Sequence, residues 1–158
     1  MTLNRIILAL SLCAALAPQA QADTLTVLHG PVPQPTYVDL GPQGDSVGDL
    51  RIWHFMGAVQ GDLAVSIDFI MTTTAHSDDP AQLDNRMTDA VFVFGADTGD
   101  SLMVHGLGPY PKKGSTVQTK ATLERAIIGG TGKYAGAGGT VLSTHLDDDT
   151  WQHLFNIQ

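Results

Sequence analysis

The sequence predicts an all-β chain of eight short strands, folded as a sandwich or, better, a small closed barrel, and three observations predict it. From residue 36 onward, runs rich in Val, Ile, Thr, Phe and Trp alternate with clusters of Gly, Asp and Pro, the pattern of short strands joined by turns. Helical periodicity is nearly absent. The stretch "RAIIGGTGKYAGAGGTVLSTH", Arg125 to His145, sets six glycines between two apolar runs, where positive φ and close backbone approach let a sheet curl.

The first 22 residues read as a signal peptide. Arg5, an apolar run from Ile6 to Ala17 and the small-x-small site Ala20-Gln21-Ala22 follow in that order, and the run is shorter than the ~20 residues of a membrane span. The expected destination is secreted or periplasmic, with no membrane insertion after signal removal. Cys13, the one cysteine, lies inside this segment behind Leu12. A lipid anchor would want a small residue there, and the rest of the chain has no disulfide or thiolate chemistry. Without Arg5, seven Lys and Arg face 16 Asp and Glu. Such a surface repels phosphate backbones, so no nucleic-acid partner is expected.

Residues 23–35 are expected to drape as an extended, Pro-rich N-terminal arm before a single domain, 36–158. Strands are expected near Tyr37 to Leu40, Leu50 to Met56, Leu63 to Thr73, Asp89 to Phe94, Ser101 to Leu107, Ser115 to Ile128, Thr140 to His145 and Thr150 to Ile157. Eight such strands fit a sandwich or, better, a closed barrel with room for one ligand. Within "SDDPAQLDNRM", Asp79 and Pro80 suit the cap and first position of a short helix. The connection from Thr74 to Thr88 is a lid over the barrel mouth or a solvated loop.

The glycine run also begins like a nucleotide loop, since Gly130-x-Gly132-x-x-Ala135 matches the dinucleotide fingerprint. That fingerprint needs a helix opening behind it. Only Lys133 to Gly139 separate Gly132 from the next strand, three of them glycine, and each glycine costs a helix ~1 kcal/mol relative to alanine. A P-loop fails as well, because Tyr134 follows Lys133 where Ser or Thr belongs and Ile127 stands where the loop should open with glycine. Tyr134 is then the one large side chain of a turn, folding back as a plug or rim. No cofactor and no metal are expected: the six histidines show no HExxH spacing. "LDDDTW" lacks the ligand spacing of a dedicated calcium loop and reads better as a hairpin turn.

These residues carry a resemblance. "RAIIGGTGKYAGAGGTVLST" resembles the signature of the dirigent and allene oxide cyclase barrel superfamily, in which an apolar strand runs into Gly-Gly-Thr-Gly-Lys-Phe/Tyr and then Ala-x-Gly. "YVDLGPQGDSVGDLRIW" is similar to the first two strands of bacterial members. The resemblance implies an eight-stranded antiparallel barrel, commonly trimeric, so that a homotrimer or homodimer is expected, with a cavity for a hydrophobic small molecule. It also implies an isomerase or cyclase-like activity, or dirigent steering of radical coupling. The plant cyclase's glutamate, asparagine and cysteine do not transfer, because Glu124 is the sole glutamate and the exported chain has no cysteine. The arginine of the dirigent "ARG" is replaced by Ala137-Gly138-Gly139. What transfers is an acid on the first strand, Asp39 in "TYVDLG".

Strand alternation gives an independent route to the site, because side chains two apart share a face. Val117, Thr119, Ala121, Leu123, Arg125 and Ile127 make the better interior face of their strand. Arg125 is then a cation on an apolar wall, costly unless paired. Asp39, on the same face of its strand as Tyr37, is the expected partner, and Asp39 and Arg125 are the candidate catalytic pair; a purely structural Arg125 is the competing reading. Tyr37, Trp53, Phe69 and Tyr134 are the candidate ligand-binding aromatics. Val65, Ile67, Phe69 and Met71 are expected inside and Asp68 outside. His105 and His145 are expected to be satisfied or surface residues. Three readings of the barrel stay open. It directs cyclisation, isomerisation or coupling of a reactive apolar molecule; it carries or scavenges such ligands without catalysis; or it is a structural protein with a filled interior.

Overall fold

The computed structural model describes residues 23–60, 62–96, 99–112, 114 and 116–158. The expected signal peptide, with Arg5 and Cys13, lies outside the described residues, as does Ser115 at one expected strand start. Nine strands follow in order: β1 (Asp23–His29), β2 (Thr36–Val38), β3 (Leu50–Val59), β4 (Ala64–Ala75), β5 (Asp84–Phe94), β6 (Asp100–Tyr110), β7 (Thr122–Thr131), β8 (Gly139–His145) and β9 (Trp151–Ile157).

All pairings are antiparallel, and the sheet order β1-β9-β8-β7-β6-β5-β4-β3-β2 closes through a further β1–β3 pairing. Eight staves thus form a barrel, and β2 lies outside the count, on the edge of β3. The closing contact is short: Val27 faces Val59 and Leu28 faces Ala58. The same edge of β3 then receives β2, with Tyr37 facing Arg51. At the junction a Cβ on Gly57 would meet the Leu28 carbonyl oxygen at 2.9 Å and Ile67 Cδ1 at 3.2 Å, so the two backbones approach as they do only because residue 57 has no side chain.

The expected strand number holds, but its membership changes. The N-terminal arm is a stave for seven residues, fully paired with β9 from Asp23–Ile157 to His29–Trp151; only residues 30–35 remain extended without strand pairing. Leu25, Val27 and His29 turn toward the barrel, and without them both β9 and β3 would present open edges. The expected first strand shrinks to β2, and Asp39 falls beyond its end. The expected helix at Asp79 is a single turn, held by Ala81 N donating to Asp79 Oδ1 at 2.9 Å and Gln82 N to Asp79 O at 3.1 Å. The chain enters β5 at Asp84, earlier than Asp89. Its inward residues there are Asp84, Arg86 and Thr88, polar side chains that hid the strand pattern. The long run from Ser115 breaks at Lys120, whose φ is 68°, and β7 begins at Thr122. Between Met103 and Val104 the β6–β7 register shifts, with Ile127 and Gly129 paired and Ile128 bulged outward at 61% exposure.

No helix opens at Gly132. A single 3₁₀ turn spans Gly132–Tyr134, and the Lys133 amide that a phosphate would have used donates to Asp100 Oδ1 at 2.9 Å. The Tyr134 ring packs on Phe94 at 5.0 Å, plugging this end above Val65, Phe94 and Leu102, all fully buried. Because connections alternate ends in an antiparallel barrel, the loops 30–35, 111–121 and 146–150 gather at the opposite end. A Gly57→Ala variant is expected to lose about 1–3 kcal/mol of stability through overpacking at the closure, measured by urea denaturation with an unchanged m-value.

Candidate functional site

At the end opposite the glycine turn the barrel interior is nearly filled and keeps a narrow slot. The slot measures about 30 Å³, about the share of one water molecule. Its shape is therefore a thin cleft between rings. Trp53 of β3 meets Phe69 of β4 edge-on at 6.5 Å, and Phe55, Met71 and Trp151 continue the apolar lining. The Trp53 indole donates to the Pro33 carbonyl at 2.8 Å, tying the 30–35 segment across the mouth. Beside it, Gln34, Gly114 and Asp149 border a second cleft that shares Val32, Thr116 and Trp151 with the slot.

The decisive polar group is Arg125 on β7, 5% exposed. Its Nη2 donates to Tyr110 Oη at 2.5 Å, and its guanidinium stands 5.8 Å from the Phe69 ring. Nε and Nη1 are buried with no partner among the described residues. Space for the side chain comes from β6, where the inward positions between Val104 and Tyr110 are glycines: a Cβ on Gly106 would lie 2.7 Å from Arg125 Cγ. Across this gap the buried Thr88 hydroxyl also lacks a partner, and Thr88 and Gly106 face each other in the ladder.

Two other arginines point inward and are better satisfied. Arg51 pairs with Asp45 at 2.9 Å and donates to Thr73 at 3.1 Å. Arg86, with no exposed surface, donates to the Gly114 and Pro111 carbonyls at 3.0 and 3.1 Å and lies over the Tyr110 ring at 5.3 Å. Burial, with the Arg51 charge adding to it, lowers the Arg86 pKa from its ordinary value.

Ser143 of β8, His153 of β9 and His29 of β1 complete the wall. Burial pushes the His29 imidazole below its ordinary value. Burial pushes His153 well below, with the neighbouring His29 and Arg125 acting in the same direction.

Trp53, Phe69 and Arg125 meet in the slot as the sequence suggests. Asp39 does not join them: it is exposed and its Oδ2 accepts the Gly44 amide at 3.1 Å, so the expected Asp39–Arg125 pair is not formed. Tyr37 is also outside, donating to Asp49 Oδ2 at 2.6 Å; desolvation and that carboxylate push its phenol pKa up. Asp49, fully buried, is the acid that organises this corner. Burial alone would raise its pKa, but hydrogen bonds from Tyr37, the Leu40 amide and Ser46 hold it below the ordinary value. Tyr134 caps the far end, away from the slot. Asp68 is exposed and pairs with His54 at 2.8 Å, and His105 pairs with Asp89 on the outer wall. His145 is buried against Trp151, with rings stacked at 4.5 Å. Tyr110, Ser143, His153 and His29 were missed: each occupies an inward position by simple alternation, but only the register shows that they share one cavity.

No protein-family model matches the chain, and no curated protein matches it. Among solved structures, a pyocyanin demethylase superposes with a TM-score of 0.59 at 23% identity, covering 87% of this chain and 100% of its own. A pterocarpan synthase dirigent protein superposes with a TM-score of 0.56 at 15% identity, covering 91% of this chain and 95% of its own. The barrel thus shares its fold with both of these proteins.

In this dirigent-like barrel the buried imidazoles make stability pH-dependent. His29 and His153 have depressed folded-state pKa values, so below the unfolded value near 6.5 the unfolded chain binds more protons than the folded one. Their contribution is fully present above about pH 6.5 and is lost as pH falls toward the folded values, at up to ~1.4 kcal/mol per pH unit for each ring. Urea titrations between pH 7 and 5 should show this slope, and His153→Gln should reduce it.

Proposed function

We propose that this barrel, exported from the cell, takes up a flat, largely apolar unsaturated molecule bearing an electron-rich or acidic oxygen and directs its cyclisation, isomerisation or coupling. The observation that supports this reading most is Arg125: a buried guanidinium with two unpartnered nitrogens on the wall of an aromatic slot. A buried cation without a carboxylate is costly on its own. An oxyanion that forms on the ligand in the slot would complete its hydrogen bonds and be stabilised by it. Close-packed rings restrict the ligand's conformations, and restriction alone lowers a barrier by several kcal/mol. The neighbouring barrels are named for a demethylase of pyocyanin and a pterocarpan synthase, names that fit small organic molecules in such a cavity. The carrier reading loses ground because Arg125, Tyr110, Ser143 and His153 all line the same slot.

Native mass spectrometry of protein purified from its own host is the direct test. Wild type should retain a small molecule, and Arg125→Met should lose it, with affinity reduced roughly 30-fold or more. Removing an uncompensated buried charge should leave stability unchanged or raise it. A variant that unfolds several kcal/mol more easily while keeping its ligand would assign Arg125 to the barrel's architecture instead.

A further inference from the structure

Ser143, His153 and His29 are polar groups of the slot that the holding of an oxyanion at Arg125 leaves unused. They follow one another around the wall: Ser143 faces His153 across β8–β9, and His29, which faces Trp151, is diagonal to His153 across β1–β9. Ser143 Oγ lies 2.8 Å from His153 Nδ1, His153 Nε2 lies 3.0 Å from His29 Nε2, and His29 Nδ1 lies 2.7 Å from the Gly30 carbonyl oxygen. All three residues are buried and line the slot.

The chain of bonds has one direction. A carbonyl only accepts, so His29 Nδ1 carries a hydrogen, and in a neutral ring Nε2 is then a lone pair. His153 Nε2 donates to it, which leaves His153 Nδ1 to accept from the Ser143 hydroxyl. Burial keeps both rings neutral at rest. The Ser143 hydrogen is thereby committed to His153, and its oxygen lone pairs remain for a donor in the slot. No carboxylate lines the slot among the described residues, so no acid competes as base.

We propose that Ser143, His153 and His29 form a proton relay that removes the hydroxyl proton of an enol or phenol bound in the slot and later returns it. The inference rests on the function proposed above. The substrate O–H bond breaks to Ser143 Oγ while the Ser143 hydrogen passes to His153 Nδ1 and the His153 Nε2 hydrogen passes to His29 Nε2. The electron pair of the broken bond stays on the substrate oxygen, stabilised by Arg125. The proton resides on His29, now an imidazolium with Nδ1 still donating to Gly30, and the reverse sequence delivers it to the product.

The test uses 4-nitrophenol, whose phenolate absorbs at longer wavelength than its phenol, added to ¹⁵N-histidine-labelled exported protein at a pH where the free probe is mostly protonated. The bound probe should absorb as phenolate, both His29 nitrogens should become N–H, and calorimetry in two buffers should show no net proton release. Ser143→Ala should bind the probe as the phenol, with the phenolate share reduced at least tenfold and His29 unchanged. His153→Gln should do the same. Neutral phenol bound to wild type, or phenolate persisting in Ser143→Ala, overturns the relay and leaves the slot as a binding site. No binding of the probe to wild type overturns the relay and the proposed slot together.

Discussion

Closure of the sheet at Val27–Val59 and Leu28–Ala58 is the contact on which the rest depends. An open sheet of twisted strands carries two edges of unpaired amides and carbonyls. Here one seven-residue strand satisfies both, pairing with β9 along its whole length and with β3 at its tip. Once closed, an eight-stranded barrel has an interior just wide enough for side chains or one small ligand. Side-chain size then decides what it contains. Phenylalanines and β-branched residues fill the half beneath Tyr134, whereas in the opposite half Gly106 and Gly108 of β6 make room for the Arg125 and Leu123 side chains.

That room for Arg125 bears on the electrostatics. Three arginines point into one barrel, and each is compensated differently. Arg51 has a carboxylate and a threonine, Arg86 has two carbonyls, a tyrosine face and Asp84 at 3.9 Å, and Arg125 has a tyrosine hydroxyl and the Phe69 ring. Tyr110 joins the last two, its ring beneath Arg86 and its oxygen on Arg125. The buried carboxylates Asp49 and Asp84 are engaged elsewhere, Asp49 with Tyr37 and Asp84 with His76 and Arg86. A cation left short of acceptors beside aromatic rings is the feature on which the proposed flat, apolar, oxygen-bearing ligand rests.

Much of the fold was legible because its signal is local. Alternation in "LRIWHFM" set Arg51, Trp53 and Phe55 on one face, alternation in "VSIDFIM" placed Ile67 and Phe69 inside, and glycine density between Gly129 and Gly139 ruled out a helix. Strands that break the apolar rule were not legible. β5 turns Arg86 and Thr88 inward, and β1 precedes a Pro-rich segment that made the whole arm read as extended. Asp39 misled for a related reason: a good position in the sequence of β2 means little when the strand ends at Val38 and the carboxylate turns back to its own loop. Asp49, ten residues on, took the structural role.

By itself the sequence determined the class of fold, the direction of most side chains on long strands, and the presence of an arginine on an apolar face, because each follows from the two-residue period of a strand and the conformational cost of glycine. Only the tertiary structure decided which residues share the slot. Arg125, Tyr110, Ser143, His153 and His29 come from five different strands. Their meeting depends on register, on the bulge at Ile128 and on which strand closes the barrel, and pairings between residues as distant as His29 and His153 leave no trace in local periodicity.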